Sequence, residues 1–293
     1  MTAAVITRVR STSSAGLDDR LPFLQLFARA AEAALAPAPA WSVFVLAIAL
    51  LGCWEWSRMS GLGKAGQAVF LVLSGAAGAV LWVLYARSPD TLFMTAASIA
   101  FLVAAIFWIV LAPLWIVKKG RPSPLACAIA GWIVVWPTWF AFVVLRDASP
   151  WLLLAVAAVI WVADICAYFA GKAFGKHKLA PAVSPGKTWE GVMGALAGVA
   201  VYGIVLAVVA RSQPTPISAI FDSGYGVPVV IAMLVLAALS IVGDLLESWM
   251  KRGAGLKDSS SLLPGHGGIL DRIDALTSTL PVAALAIGLR SFS

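Results

Sequence analysis

Continuous apolar runs of about 20 residues recur along most of this chain, and no other feature constrains its fold more. A helix that crosses a bilayer needs roughly 20 mostly apolar residues. Windows of that kind lie at about 41–58, 66–86, 93–117, 124–145, 151–171, 189–210, 227–250 and 275–291. Because these runs are continuous and do not alternate, they predict an all-α, polytopic integral membrane protein with eight transmembrane helices.

The composition agrees with a membrane protein, since charged residues make up only 12% and the mean hydropathy is +0.93. The first twenty residues include arginines but no apolar run behind them, which does not fit a cleaved signal peptide. The next segment, 21–36, contains Arg29 and Glu32, and predicts an amphipathic helix lying on the membrane. A ninth span or a re-entrant segment at 21–36 is the alternative.

The basic residues predict the orientation. If the eight windows cross the membrane, thirteen Lys and Arg lie in loops on one side and four lie in loops on the other. The positive-inside rule then places the basic loops in the cytoplasm, and the protein in the inner membrane. The four arginines of the N-terminal tail fall on the opposite side, which favours the ninth span. Basic residues that bind a polyanion would produce the same bias.

Ionisable residues at membrane depth divide the chain. They lie almost entirely after residue 160, so we expect an N-terminal tail (1–40), a set of N-terminal transmembrane helices (41–150) and a catalytic transmembrane domain with cytoplasmic loops (151–293). Glu55, between two tryptophans, is interpreted as an interfacial carboxylate rather than a site residue. A transporter would place such residues in two matching halves, so this asymmetry argues against transport.

Asp164 lies well inside the fifth apolar window, where a charge is costly unless it faces a partner or water. A basic loop follows it, which is also typical of topology signals or of contacts to anionic lipid. "SPGKTWEG" then opens a helix that Ser184 or Thr188 can cap, and whose free N–H groups favour an anion. The candidate substrate-binding residues here are Asp164, Tyr168, Lys172, Lys176, Ser184, Lys187, Thr188 and Glu190.

The seventh window carries a polar stripe. Its residues Asp244, Glu247, Ser248 and Lys251 are spaced three or four apart, so they share one face of a helix at membrane depth. One structural ion pair explains a single such residue, but not two acids with a serine and a lysine. This stripe therefore predicts a functional site.

The stretch "KDSSSLLPGHGGILDRIDA" follows that helix. Asp271 and Asp274 share a face at the start of the last helix, and a turn of three glycines and a proline precedes them. Hard oxygen ligands suit Mg²⁺, which completes its coordination with water and substrate phosphates. The residues therefore predict a phosphate-bearing substrate. His266 fits a general base, a donor to phosphate or a structural hydrogen-bonding group.

The residues from Ser248 to Asp274, "SWMKRGAGLKDSSSLLPGHGGILDRID", resemble the signature of phosphatidate cytidylyltransferases, also called CDP-diacylglycerol synthases. That signature reads S-x-x-K-R, four residues, K-D, then P-G-H-G-G and D-R-x-D, and every fixed position is present. The motifs "GDLLES", "DICAYFAGKAFGKHKL" and "SPGKTWEG" are also similar to that family. The resemblance covers about residues 150 to 290.

This resemblance implies a membrane enzyme that joins CTP and phosphatidic acid to give CDP-diacylglycerol and pyrophosphate with Mg²⁺. It further implies that Asp244 and Asp271 hold the metal, and that a monovalent cation such as K⁺ shares the site. The candidate catalytic residues are Asp244, Lys251, Arg252, Lys257, Asp258, His266, Asp271, Arg272 and Asp274. Glu247, Ser248, Gly265, Gly267 and Gly268 join the substrate-binding set.

The expected partners are CTP, phosphatidic acid and membrane lipid, with no nucleic acid. A homodimer through the N-terminal helices is a further expectation. A cavity lined by Asp164, Tyr168, Asp244 and Glu247, open to the cytosol and to lipid, would admit both substrates. The alternative enzyme is a CTP-dependent polyprenol kinase, which transfers the γ-phosphate and not the cytidylyl group.

Overall fold

The computed structural model describes residues 38–87, 91–118, 120–212, 226–263, 265 and 267–290. The predicted helical architecture is confirmed there, and the helices follow the apolar windows closely. The helices are α1 (Ala38–Met59), α2 (Lys64–Arg87), α3 (Thr91–Ile106), α4 (Ala112–Val117), α5 (Pro124–Ala148), α6 (Pro150–Phe174), α7 (Trp189–Ser212), α8 (Gly226–Gly253) and α9 (Leu270–Arg290). Two short strands, β1 (Lys178–Ala180) and β2 (Ser184–Thr188), precede α7.

Seven helices of the described residues are long and apolar enough to cross a membrane, with α3 and α4 counted as one helix, Thr91–Val117. The eighth predicted span is α9, a helix of 21 residues that is not among the seven. It carries three charged side chains in its first five residues, and its crossing of the membrane stays a prediction. The tail segment 21–36 lies outside the described residues, as do Pro264 and His266.

A π-helical turn, Phe107–Leu111, joins α3 to α4 inside the third span. The N–H of Ala112 reaches back to the carbonyl oxygen of Phe107, five residues earlier. The next residue is Pro113, which has no N–H to continue the regular pattern and fits only the start of a new helical segment. The sequence window does not reveal this interruption, because the hydropathy remains high across it.

Helix α5 lies at the centre of the N-terminal half and packs against α1, α3 and α9. Aromatic side chains fill the spaces between these helices, and Trp56, Trp108 and Trp139 are fully buried. The division at residue 150 stays a prediction, since α9 of the C-terminal half shares this core. Arg121 donates hydrogen bonds to the carbonyl oxygens of Met59 and Gly253, so it ties the end of α1 to the end of α8.

The C-terminal half consists of two closely packed helix pairs. α7 packs on α6 through glycines: a Cβ at Gly191 would lie 3.0 Å from the carbonyl oxygen of Ala167, and a Cβ at Gly194 2.9 Å from that of Cys166. α8 packs on α9 at Gly243, where a Cβ would lie 2.7 Å from the carbonyl oxygen of Asp274. Small residues allow such close backbone approach between membrane helices. We call the space between the two pairs the seam.

The basic loop after α6 folds into a β-hairpin. β1 and β2 are antiparallel, with Lys178 opposite Thr188 and Ala180 opposite Ser184. The sequence predicted that "SPGKTWEG" opens a helix, but its first five residues form β2 and the helix begins at Trp189. Thr188 provides the predicted cap, because its Oγ1 accepts the N–H of Gly191 at 3.1 Å. Capping by Ser184 is wrong, since Ser184 lies at the other end of β2.

We predict that Gly131→Ala destabilises the N-terminal half. A Cβ at Gly131 would lie 2.6 Å from Nε1 of Trp56, whose indole is buried and donates to the carbonyl oxygen of Cys127. Overpacking of this kind costs roughly 1–3 kcal/mol. Gly75→Ala is the matched control, because no atom lies within 4 Å of the added Cβ. Thermal unfolding in detergent should show a lower midpoint for Gly131→Ala alone, and equal midpoints would refute the packing argument.

Candidate active site

Seven ionisable side chains meet at one end of the seam. They come from the C-terminal parts of α6 and α8, the end of β2 and the start of α9, and ion pairs or electrostatic interactions connect them. We call this group the carboxylate cluster. Its members are Asp164, Lys187, Asp244, Glu247, Lys251, Asp271 and Asp274.

Lys187 joins the hairpin to α8. Its Nζ lies 2.6 Å from Oδ2 of Asp244, and both side chains are partly buried. Oδ1 of Asp244 accepts a hydrogen bond from Ser248 Oγ at 3.2 Å, as the four-residue spacing predicts. Asp164 on α6 interacts electrostatically with both Lys187 and Asp244. The two helix pairs therefore meet across the seam through charges.

Lys251 joins α8 to α9. Its side chain is buried, and Nζ lies 3.2 Å from Glu247 Oε2 and 2.5 Å from Asp271 Oδ1. A buried ammonium group needs such partners, because an unpaired charge in this environment costs several kcal/mol. The predicted common face of the polar stripe on α8 is therefore confirmed, and its functional role stays a prediction. It faces the start of α9.

Asp271 is the most heavily hydrogen-bonded acid of the carboxylate cluster. Its Oδ2 accepts the N–H of Ser259 at 2.9 Å, the hydroxyl of Ser259 at 2.8 Å and the N–H of Gly268 at 2.7 Å. The glycines make this approach feasible. Gly267 has φ +84°, and a Cβ there would lie 2.7 Å from the same carboxylate oxygen. A Cβ at Gly268 would collide with Ser259 Oγ.

Glu55 was interpreted from the sequence as an interfacial carboxylate, and that interpretation is wrong. Its side chain is fully buried, at 0% exposure, and each carboxylate oxygen accepts two hydrogen bonds. Oε1 accepts from Ser260 Oγ at 2.6 Å and from the N–H of Ile269 at 2.9 Å. Oε2 accepts from Ser259 Oγ at 3.1 Å and from the N–H of Leu270 at 2.7 Å. Glu55 thus caps α9 and holds the loop before it.

Ser259 connects Glu55 to the carboxylate cluster, because its hydroxyl lies within hydrogen-bonding distance of both Glu55 and Asp271. We did not predict Ser259 or Ser260 as site residues. The only sequence signal for Glu55 was an acid within an apolar window, between Trp54 and Trp56. Its partners lie more than 200 residues away, so no local spacing could identify them.

The carboxylate cluster fits a bound cation. It contains five carboxyl groups and two lysines, so carboxyl oxygens are its commonest side-chain ligands. Glu247 is 4% exposed, and its Oε2 pairs with Lys251. It lies beside the carboxyl group of Asp274. Oxygen donors of this kind suit Mg²⁺ or another hard cation.

No three acids or histidines among the described residues are already arranged as a metal-binding set. Lys187 and Lys251 instead contact oxygens of Asp244 and Asp271, the two acids that we predicted as metal ligands. The lysines balance part of the negative charge in this state. Cation binding would require these ammonium groups to move to other partners.

Other predicted site residues lie around the carboxylate cluster and not within it. Tyr168 is 60% exposed, with Lys172 Nζ 5.6 Å from its ring centroid, and the cavity expected beside Asp164 and Tyr168 stays a prediction. Glu190 pairs with His177, whose Nδ1 lies 2.6 Å from Glu190 Oε1. His266 lies outside the described residues. The other exposed residues of the predicted site are Lys176, Arg252, Lys257, Asp258, Gly265 and Arg272.

We predict that Glu55→Ala lowers the free energy of unfolding by roughly 3 kcal/mol, because Ser260 and two backbone N–H groups lose their acceptor and buried unsatisfied groups are costly. Glu55→Gln should have a smaller effect, since one oxygen remains. The control is Ser42→Ala, a buried position of α1 that loses only a local bond to the carbonyl oxygen of Pro39. Thermal unfolding in detergent measures the order. If Glu55→Ala is as stable as Ser42→Ala, Glu55 does not hold the loop.

Comparison with known proteins agrees with the signature. The sequence profile of the Cytidylyltransferase family matches residues 25–289. A protein of Pseudomonas aeruginosa named phosphatidate cytidylyltransferase is 40% identical over 253 residues, which cover 83% of this chain and 86% of the relative.

A protein of Haemophilus influenzae with the same name is 36% identical over 257 residues, covering 80% of this chain and 85% of the relative. A third, from Brucella suis, is 36% identical over 241 residues, covering 81% of this chain and 80% of the relative. The matches include both the plain N-terminal helices and the carboxylate cluster. The chain therefore belongs to the cytidylyltransferase family.

Proposed function

We propose that this protein is a phosphatidate cytidylyltransferase, which joins CTP and phosphatidic acid to give CDP-diacylglycerol and pyrophosphate. The names of its relatives support this activity. The observation that carries the proposal is the carboxylate cluster, where five acids and two lysines meet at the ends of apolar helices. Such a group suits a reaction between two polyanions near a lipid surface, because both cations and phosphates find partners there.

In the proposed reaction, a phosphate oxygen of phosphatidate attacks the α-phosphorus of CTP. A new P–O bond forms, the bond from the α-phosphorus to the oxygen bridging toward the β-phosphate breaks, and pyrophosphate leaves with the electron pair. The second pKa of a phosphomonoester is about 6, so the nucleophile is already anionic near neutral pH. A strong general base is therefore not required, and His266 has no necessary role in proton transfer.

Asp244 and Asp271 are the residues that would hold Mg²⁺, and a monovalent cation such as K⁺ would share the carboxylate cluster. When bound, Mg²⁺ supplies Lewis-acid stabilisation of the α-phosphate and of the leaving pyrophosphate. The chain contributes rigid positions for these acids. Asp271 is fixed by Ser259 and Gly268, and Asp244 is fixed by Ser248 on its own helix.

Lys187 and Lys251 would exchange carboxylates for phosphate oxygens when the substrates bind. Each already has Nζ at the carboxylate cluster, so a short side-chain rotation suffices. Exposed cations surround it and would attract CTP from water. They are Lys172, Lys176, Arg252, Lys257 and Arg272. Gly265, Gly267 and Gly268 would leave room for phosphate beside the loop.

Phosphatidate would enter from the inner leaflet and CTP from the cytosol. The ends of α6 and α8 that carry the acids adjoin the loops with most of the basic residues, which supports a cytoplasmic carboxylate cluster. A polytopic protein with this orientation brings a soluble and a membrane-held substrate together at the interface. The proposed place is the cytoplasmic face of the inner membrane.

The position of the radioactive phosphate tests the reaction. Purified protein with phosphatidate, Mg²⁺ and CTP labelled at the α-phosphate should transfer label into lipid, and label at the γ-phosphate should appear only in pyrophosphate. EDTA should abolish both. A polyprenol kinase would give the opposite result, with γ-label in lipid. Transfer of γ-label alone would overturn the proposal.

Asp244→Asn and Asp271→Asn should each lower the rate of CDP-diacylglycerol formation at least about 100-fold, as expected for the loss of a group that stabilises transition-state charge. Asp147→Asn is the control, since Asp147 pairs with Arg146 and Tyr85 far from the carboxylate cluster. All three variants should be compared for thermal unfolding. Normal Mg²⁺-dependent activity in Asp271→Asn would remove Asp271 from the proposed metal site.

The orientation can be measured by cysteine labelling. Ala182→Cys in the hairpin turn should react with a membrane-impermeant maleimide only after spheroplasts are opened. Ala148→Cys, at the exposed end of α5, should react in intact spheroplasts. The unsubstituted chain measures the background, which comes from the partly exposed Cys166, since Cys53 and Cys127 are buried. Reversed accessibility of the two positions would show that the carboxylate cluster faces away from the cytoplasm.

A further inference from the structure

An apolar cavity of about 390 Å³ lies between α6, α7, α8 and α9. Every side chain that lines it is apolar. Representative lining residues are Leu152, Val159, Met233, Leu236, Val282 and Ala283. The volume falls within the range of roughly 300–1,000 Å³ that is typical of small-molecule sites. The cavity therefore offers contacts mainly to hydrocarbon.

This cavity lies on the same seam as the carboxylate cluster. The seam separates the α6–α7 pair, packed through glycines, from the α8–α9 pair, packed at Gly243. At one end, Asp164 of the first pair interacts with Asp244 of the second. At the other end, the same four helices enclose the cavity. The seam is therefore charged at one end and apolar at the other.

Helix geometry gives the separation of the two ends. With a rise of about 1.5 Å per residue, Val159 lies about 8 Å along α6 from Asp164. Leu236 lies about 12 Å along α8 from Asp244, and Val282 about 12 Å along α9 from Asp274 by the same rise. α6 and α8 run in one direction and α9 in the other, yet all three displacements lead toward the same membrane face. The cavity therefore lies directly beyond the acids.

We propose that the cavity binds one fatty acyl chain of the lipid substrate while its phosphate lies at the carboxylate cluster. This inference rests on the proposed function, and it adds a site that selects acyl chains by length. Half of a bilayer's hydrocarbon core is about 15 Å thick, so a chain that descends from the carboxylate cluster reaches the near part of the cavity. A long chain enters the near part of the cavity and a short chain ends before it.

Small residues line several positions, so the cavity can be filled by substitution. Ala232 on α8 and Ala155 on α6 line the cavity from different helices. Ala155→Phe would place an aromatic ring about 14 Å along α6 from Asp164, within the expected depth of the chain. Ala232→Trp, about 18 Å along α8 from Asp244, would extend an indole into the same space from just below it. The matched control is Ile231→Trp, because Ile231 adjoins Ala232 but is 55% exposed and does not line the cavity.

The experiment compares dioctanoyl and dioleoyl phosphatidate in mixed micelles with labelled CTP. Ala232→Trp and Ala155→Phe should raise the KM for dioleoyl phosphatidate about tenfold, a typical effect of losing hydrocarbon contacts in a pocket. Their KM for dioctanoyl phosphatidate should stay near that of the parent. Ile231→Trp should leave both values unchanged.

An unchanged ratio of the two KM values in both cavity variants would overturn the proposal. Equal loss of activity with both lipids in both variants would also overturn it, since the cavity would then serve folding, a structural lipid or a second copy of the chain. Failure of the proposed function looks different. In that case the parent protein itself would convert neither lipid to its CDP derivative.

Discussion

The buried carboxylate of Glu55 is the contact on which the arrangement of the carboxylate cluster depends. It belongs to the first described helix, and it accepts hydrogen bonds from two serines and from two backbone N–H groups at the start of α9. The positive end of the α9 dipole and four donors stabilise a charge that would otherwise be costly in this core. The N-terminal half therefore determines where the signature loop lies.

Hydrogen bonds connect the signature loop to the acids of the carboxylate cluster. Ser259 contacts Glu55 and Asp271 at once, and Asp271 in turn contacts Lys251, which pairs with Glu247. A shift of the loop would therefore leave several buried groups unsatisfied together, so intermediate positions are unfavourable. The predicted site residues all lie after residue 160. This coupling gives a physical reason why the aromatic-packed N-terminal helices are nevertheless needed. They hold the acceptor that fixes the loop.

Much of the fold follows from local sequence patterns. Hydropathy located the apolar helices to within a few residues, and the spacing of Asp244, Glu247, Ser248 and Lys251 predicted their common face. Local patterns fail where the partner is distant in sequence. Glu55 illustrates this, because nothing near it in sequence indicates that its four donors lie beyond residue 258.

Neighbouring residues of the signature can also differ in burial, which the motif does not show. Lys251 and Arg252 are both part of the signature, yet Lys251 is 9% exposed and contacts two acids, whereas Arg252 lies on the exposed side of the same helix.

The sequence did not predict the hairpin, because its turn lies within a basic, proline-containing stretch that is typical of a loop. It matters for the carboxylate cluster, since β2 brings Lys187 to Asp244.

The two tightly packed helix pairs explain how a charged group and an apolar cavity can share one seam. Glycines draw α6 against α7 and α8 against α9, so the backbones approach most closely within each pair. Between the pairs, the charged end is held by ion pairs such as Lys187–Asp244, while the other end keeps open volume. An amphipathic ligand matches this gradient in only one direction. A lipid phosphate placed among the lysines has its hydrocarbon directed along the seam, and the reverse orientation would bury charge in the apolar end at a cost of several kcal/mol.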